Sequence, residues 1–222
     1  MSNYYIWTIG CQMNKAESLK IGKYLEANGY TETSSIKQAD IIILNTCVVR
    51  EHAEKKVLGI LNHLRGIKQI NPKLTIIVTG CFVSSHLTNI KAEFPYVNLF
   101  FKPGDFDQFY GWTKKNKTIP AKKVIRNIRS AHSPCSVTAY IPIIQGCNNY
   151  CSYCIVPYRR GNERSRTLDD IEQEIHCLVS NGLKEVTLLG QNVNSYGRDL
   201  PEKPTLVDLL IKLNKIKELY RI

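Results

Sequence analysis

The stretch IIILNTC, Ile41 to Cys47, begins with a run of branched apolar residues and closes on an asparagine, a threonine and a cysteine. A run so short and so rich in isoleucine reads as a buried parallel strand. YYIWTIGC, Tyr4 to Cys11, and LTIIVTGC, Leu74 to Cys81, follow the same plan. Strands are expected over Tyr4 to Ile9, Ile41 to Asn45 and Leu74 to Val78. Helical patterns fall between and after them, around Ser18 to Glu26, Glu51 to Ile70 and Ser84 to Phe94. This alternation predicts an α/β layer around an open parallel sheet.

Each of the three strands runs into a cysteine. Ligands of open parallel sheets sit beyond the carboxyl ends of the strands, so Cys11, Cys47 and Cys81 are expected to converge on one sheet edge. A free cysteine is often only a small buried filler. Three in the same strand-end position argue instead for shared metal ligation, through soft thiolates. Their neighbours are polar or small: Gln12 and Asn14 follow the first, Thr46 precedes the second, and Gly80 lets backbone approach a ligand closely at the third.

The chain has 222 residues, 43% of them hydrophobic, enough for one or two ordinary cores. Eight cysteines at this length are too sparse for a disulfide-built secreted scaffold, so the thiols are read as reduced. The opening MSNYYIWTIG carries no charged leader followed by an apolar core, and no apolar run approaches the ~18 residues of a membrane span. A soluble cytoplasmic protein is expected. The net charge is +11 and unevenly placed. No acidic residue lies between Asp107 and Glu163, a stretch that holds Lys114, Lys115, Lys117, Lys122, Lys123, Arg126, Arg129, Arg159 and Arg160. A solvated basic linker and a nucleic-acid surface both account for it.

Gly104 to Ala139 lacks a clear period and reads as a domain junction. Tyr140 to Ile144 is a candidate strand leading into GCNNYCSYCIVPYRRGNERSR, Gly146 to Arg166. Thr167 is then expected to cap a helix, with Asp170 completing a capping box and Asn181-Gly182 as the stop. Glu185 to Leu189 is the next strand. A second helix is expected from Thr205, again boxed by Asp208, to about Tyr220. This pattern opens a barrel or a wound sheet.

The spacing C-x3-C-x2-C of Cys147, Cys151 and Cys154 excludes pairwise disulfides. Structural zinc needs four ligands, and no second pair stands nearby. A bacterial ferredoxin run differs in spacing and has a fourth cysteine. Three thiolates on an iron-sulfur cubane would leave one iron open to a small molecule.

With Tyr153 just before the last cysteine, the motif resembles the radical S-adenosylmethionine (SAM) superfamily. Together with Cys11, Cys47, Cys81 and LLGQNVNSYG at Leu188 to Gly197, it resembles that superfamily's methylthiotransferases along essentially the whole chain. The resemblance implies residues 1–113 as an open parallel-sheet α/β methylthiotransferase domain, 114–138 as a basic linker and 139–222 as the beginning of a radical SAM (β/α) partial TIM barrel. A barrel takes ~250 residues, so this part is expected to be truncated.

It further implies two 4Fe-4S clusters and SAM. Cys147, Cys151 and Cys154 would hold the radical cluster, whose open iron binds SAM; Cys11, Cys47 and Cys81 would hold the auxiliary cluster. No catalytic residue beyond these ligands is implied. Tyr153, Arg160, Glu163, Arg166, Gln191 and Asn192 stand at family motif positions and are candidates for cofactor binding. The implied reaction is methylthiolation of carbon 2 of N6-isopentenyladenosine beside the anticodon of tRNA. Such a C–H is too weak an acid for side-chain bases, so a cofactor must carry the step.

Alternatives are a methylthiotransferase for threonylcarbamoyladenosine tRNA or a ribosomal-protein aspartate, and a non-catalytic iron-sulfur or zinc RNA-binding module. The implied partners are a tRNA anticodon stem-loop and an electron donor such as flavodoxin or ferredoxin, with no membrane and a monomeric state. Cys135 and Cys177 match no ligand position, and Cys177 is expected to pack within its helix. His52, His63 and His176 read as surface or core residues.

Overall fold

A computed structural model describes residues 2–49, 51–83, 87–116 and 137–222. The chain falls into two compact units, Met1–Arg126 and Asn127–Ile222. The elements of the first are β1 (Ser2–Thr8), α1 (Gln12–Ala27), β2 (Tyr30–Glu32), β3 (Ile41–Thr46), α2 (Glu51–Ile70), β4 (Thr75–Gly80), α3 (Leu87–Glu93), β5 (Leu99–Phe100) and α4 (Phe106–Lys115). Its sheet has the order β2-β1-β3-β4-β5, with every pairing parallel. β3 is central and buried at every position, which explains its nearly unbroken apolar sequence. The expected strands are all present, and β2 and β5 are additions: both are too short to show a period.

The junction expected from Gly104 is corrected by α4, a helix capped by Asp105, whose side chain accepts from the Gln108 N–H. Its apolar face is aromatic. Phe109 stands edge-on to Tyr24 at 5.3 Å and stacks on Phe101 at 5.4 Å, while the Thr113 and Tyr24 hydroxyls share a bond of 2.9 Å. Ring packing on α1 supplies the burial that this glycine-containing segment's helix propensity does not. The expected boundary at residue 113 therefore falls inside a helix, and 117–136 lie outside the described residues.

The second unit contains β6 (Thr138–Pro142), β7 (Ile144–Gln145), α5 (Val156–Arg160), β8 (Arg164–Ser165), α6 (Leu168–Ser180), β9 (Glu185–Leu189) and α7 (Leu206–Leu213). β6 and β9 pair in parallel, with α6 as their crossover and α7 following, a repeated β-α unit as expected. Ile141, Ile171, Ile175 and Val186 meet with Leu209 and Leu213 in its core. Lys212 of α7 clasps α6 through Asp169 at 2.5 Å and Glu172 at 3.0 Å.

Two local expectations are corrected here. α7 ends at Leu213 instead of about Tyr220. Asn214 caps it, Ile216 turns back into the core, and the Tyr220 and Arg221 N–H groups donate to the Lys184 carbonyl. The capping box expected at α6 is half formed: Thr167 accepts from the Asp170 N–H, but the Asp170 carboxylate is taken by Arg166 at 2.8 Å. The box at Thr205 and Asp208 is complete.

Candidate functional site

β1, β3 and β4 are adjacent and parallel, so the turns that follow them leave the same edge of the sheet. Cys11, Cys47 and Cys81 occupy these turns; Cys47 and Cys81 are buried and Cys11 is exposed. Glycine permits their approach. A methyl group added at Gly10 would lie 2.9 Å from the Cys47 Cβ, and one at Gly80, where φ is +91°, would overlap the Thr46 carbonyl oxygen.

A buried polar network ties these turns together. Asn14, in the first turn of α1, is wholly buried. Its Nδ2 donates toward the Ile9 carbonyl at 3.2 Å, Asn45 Oδ1 at 3.0 Å and the Thr46 carbonyl at 2.9 Å, sharing two hydrogens among three acceptors. The Thr46 carbonyl also accepts from the Cys81 N–H at 2.9 Å. Asn45 Nδ2 returns to the Asn14 carbonyl at 2.8 Å and to Ser18 Oγ at 3.0 Å. Asn45 is a residue that sequence reasoning missed, although an amide closing an otherwise apolar central strand is itself a signal.

The thiols themselves are not gathered. The Cys11 Sγ–H donates to Asn14 Oδ1 at 3.3 Å, and among the described residues no three His, Cys, Asp or Glu side chains stand together as a metal-holding group. What the fold brings together is the three backbone turns. Three soft donors on adjacent strand ends, with glycines where the turns cross, fit a group that takes three thiolates.

The second cysteine loop is pinched at its base by the antiparallel pair β7 and β8. At its entry Gly146 has φ +82°, and a methyl group there would overlap the Asn162 carbonyl oxygen. Cys147 N–H donates to the Gly161 carbonyl at 3.1 Å, and Cys154 N–H to the Cys151 carbonyl at 2.9 Å. Asn148 and Glu163 bond across the loop: Glu163 N–H donates to Asn148 Oδ1 at 3.1 Å, and Asn148 N–H to Glu163 Oε1 at 3.4 Å. Tyr150, at φ +47°, donates to Asn162 Oδ1 at 3.2 Å and meets Tyr158 edge-on at 5.9 Å. Cys147 is buried, Cys154 half-buried and Cys151 exposed, so the thiols line a rim between core and solvent.

The other candidates divide. Tyr153 is 89% exposed on the loop. Gln191 Oε1 accepts from the Gly146 N–H at 2.7 Å, anchoring the loop entry to the end of β9. Asn192 donates to Ser195 Oγ at 2.6 Å. Arg160 is buried at the end of α5. Arg166 turns inward: its guanidinium meets Asp170 at 2.8 Å, Glu174 at 2.6 Å and the Pro142 carbonyl at 3.0 Å. Burial opposes its charge, but Glu174 and Asp170 outweigh that and hold its pKa above the usual value. Cys177 is exposed, correcting the expected packing role. His52, His63 and His176 are exposed. Lys114 and Lys115 close α4, where cations suit the helix dipole; Lys117, Lys122, Lys123, Arg126, Arg129 and Cys135 lie outside the described residues. No helix among the described residues is long and apolar enough to cross a membrane.

Residues 3–102 match the model of a family described as uncharacterized protein family UPF0004, and residues 141–222 match that of the Radical SAM superfamily. Over 222 residues the chain is 47% identical to a tRNA-2-methylthio-N(6)-dimethylallyladenosine synthase of Dehalococcoides mccartyi, covering all of this chain and 50% of that one. A protein of the same description from Clostridium botulinum is 45% identical over 233 residues, with 52% of its length covered. The chain thus spans about half the length of the curated relatives it matches. Among solved structures it is similar in fold to the cobalamin-dependent S-adenosylmethionine radical enzyme OxsB with aqua-cobalamin and S-adenosylmethionine bound. The TM-score is 0.59 at 12% identity, covering 100% of this chain and 38% of that one.

Proposed function

We propose, from the match of residues 3–102 to UPF0004 and of residues 141–222 to the Radical SAM superfamily, that the chain carries the cofactor-binding part of a tRNA methylthiotransferase. The observation that carries this reading is the presence of two separate cysteine trios, one on adjacent strand ends and one on a pinned loop. A single trio would serve a simple iron-sulfur protein; the second has no use in one.

Cys147, Cys151 and Cys154 would hold the SAM-binding 4Fe-4S cluster, and Cys11, Cys47 and Cys81 would hold a second. When bound, the first cluster would supply the electron for reductive cleavage of SAM, chemistry strong enough for the unactivated carbon 2 C–H of N6-isopentenyladenosine, and the second would carry the sulfur that SAM methylates to give the methylthio group. The protein's own residues orient and expose. Gln191 and Gly146 hold the loop entry, and the bonds between Asn148 and Glu163 keep the loop closed on itself, so the Cys151 side faces outward. Exposed Tyr153 stands beside the last cysteine, where its ring can cover an adenine face. Lys114, Lys115, Arg159 and Arg164 add to the positive field that attracts tRNA phosphates, and an anticodon-loop base is accessible because it can leave its stack. The one-electron supply is expected from a flavodoxin or ferredoxin.

The test is anaerobic reconstitution of the chain with iron and sulfide. About eight irons per chain are expected, four for each cubane. Replacing Cys147, Cys151 and Cys154 with alanine halves the iron and abolishes reductive SAM cleavage; replacing Cys11, Cys47 and Cys81 halves the iron and leaves that cleavage intact. SAM cleavage that persists in the first variant refutes the reading.

A further inference from the structure

We infer that Asn14 is the positioning residue of the strand-end centre: its amide sets the three cysteine turns in register, and before loading its oxygen holds the Cys11 thiol. The inference rests on the reading of Cys11, Cys47 and Cys81 as ligands of one group. Asn14 is itself no ligand; it acts through the turns.

Three features single it out. First, its bonds reach both sides of the site: the Ile9 carbonyl lies just ahead of Gly10 and Cys11, and the Thr46 carbonyl belongs to the peptide that leads into Cys47. The same Thr46 oxygen receives the Cys81 N–H, so one carbonyl and one amide join all three turns. Secondly, Asn14 is fully buried, so removing its donors leaves the acceptors they serve short of a protein partner inside the fold. Without them the Thr46 carbonyl keeps its bond from Cys81, and the β1 turn is left with two ties to β3, from the Ile9 N–H to the Asn45 carbonyl and from Asn45 Nδ2 to the Asn14 carbonyl. Thirdly, the exposed member of the trio, Cys11, rests its thiol on Asn14 Oδ1, whereas Cys47 and Cys81 are buried in place. Loading therefore requires Cys11 to turn from Asn14 toward the other two cysteines, with the backbone already held.

A purely structural role for this amide and a positioning role make different predictions, because the network contains a member that touches no cysteine turn. Ser18 Oγ accepts from Thr8 Oγ1 at 2.8 Å and from Asn45 Nδ2 at 3.0 Å. Its loss weakens the same buried network without touching Ile9, Thr46 or Cys81.

The experiment uses the 222-residue chain with Cys147, Cys151 and Cys154 replaced by alanine, reconstituted anaerobically with iron and sulfide so that only the strand-end trio is loaded. Iron loss to a chelator and the electron paramagnetic resonance spectrum of the reduced protein are recorded for the parent, Asn14→Ala and Ser18→Ala, alongside thermal melts of the metal-free forms. Removing a group that orients metal ligands typically costs about 10–100-fold in affinity, so Asn14→Ala should release iron about 10–100-fold faster with an altered spectrum. Ser18→Ala should lower the melting temperature yet keep the parent's release rate and spectrum. Should Asn14→Ala fail to fold, Asn14→Ser, which keeps a small polar side chain, is measured against the same expectation. Parent-like release and spectrum in the Asn14 variant, or equal acceleration in Ser18→Ala, would overturn the assignment while leaving the ligand reading standing. A parent that binds no iron removes the ligand reading and this inference with it.

Discussion

Asn14 and Cys81 donate to the same atom, the carbonyl oxygen of Thr46, each over 2.9 Å. The first belongs to the helix that follows Cys11, the acceptor precedes Cys47, and the second donor is the third cysteine itself. Residues from three distant parts of the chain are thereby referred to one peptide group. The parallel order β1-β3-β4 makes this possible, because only neighbouring strands of the same direction end side by side.

The close crossing of these turns sets a cost on any side chain at their glycines. Gly80→Ala and Gly146→Ala each place a methyl group on a neighbouring carbonyl oxygen, that of Thr46 or Asn162, at φ +91° and +82°. Gly29 has a similar φ of +86° with nothing within 4 Å of the added group, so Gly29→Ala reports dihedral strain alone, about 1–2 kcal/mol. Urea unfolding of the three variants should show Gly80→Ala and Gly146→Ala destabilised beyond Gly29→Ala by about 1–3 kcal/mol. Equal losses in all three would show that the crossings relax freely.

Alkali should weaken the second unit through Tyr196. Its buried hydroxyl donates to the Arg166 carbonyl at 2.7 Å. Burial first, then Asp199 and Asp170, push its pKa up to about 12 from 10.0, against the lowering effects of Arg166 and Lys212. A folded pKa above the unfolded one means that the stabilisation is fully present below pH 10 and is lost as the pH climbs toward 12. Urea midpoints of the parent should fall over that window, and Tyr196→Phe, which has no proton to lose, should fall less steeply. Parallel curves for the two proteins would remove Tyr196 from the account.

The basic stretch gives a third prediction. If Lys114, Lys115, Lys117, Lys122 and Lys123 meet tRNA phosphates, changing all five to glutamine lowers affinity for an anticodon stem-loop irrespective of its sequence. The slope of log affinity against log salt should become shallower by roughly 0.7–0.9 for each phosphate no longer neutralised. Iron content and SAM cleavage without RNA should stay as in the parent, because none of these lysines lies in a cysteine motif. Superimposable titrations at several salt concentrations would leave the stretch as ordinary solvated surface.

Much of the frame is legible from the residues alone. The pattern over Glu51–Ile70 and the strand Glu185–Leu189 stand where their periodicity puts them, since a long amphipathic period and a short branched run each admit one economical burial. Phe106–Lys115 is not legible, because its helix depends on rings of other elements: Phe109 and Tyr110 pack on Tyr24, a contact that no local period reports. The end of α7 escapes for a related reason. Its stop is set by Ile216 returning to the core and by backbone bonds to Lys184.

The sequence by itself determined which residues are the candidates for the chemistry: two cysteine trios, one at strand ends and one at close spacing, with glycines beside them. Cysteine spacing within a short loop and cysteine position at a strand end are local properties, readable without knowing what else folds nearby. Tertiary structure alone decided how those residues are held. That Arg166 faces Asp170 and Glu174, that Gln191 anchors Gly146, and that Asn14 reaches Thr46 all follow from which strands and helices become neighbours. A buried polar group takes whatever complementary group packing brings within about 3 Å, and that pairing is a property of the assembled core.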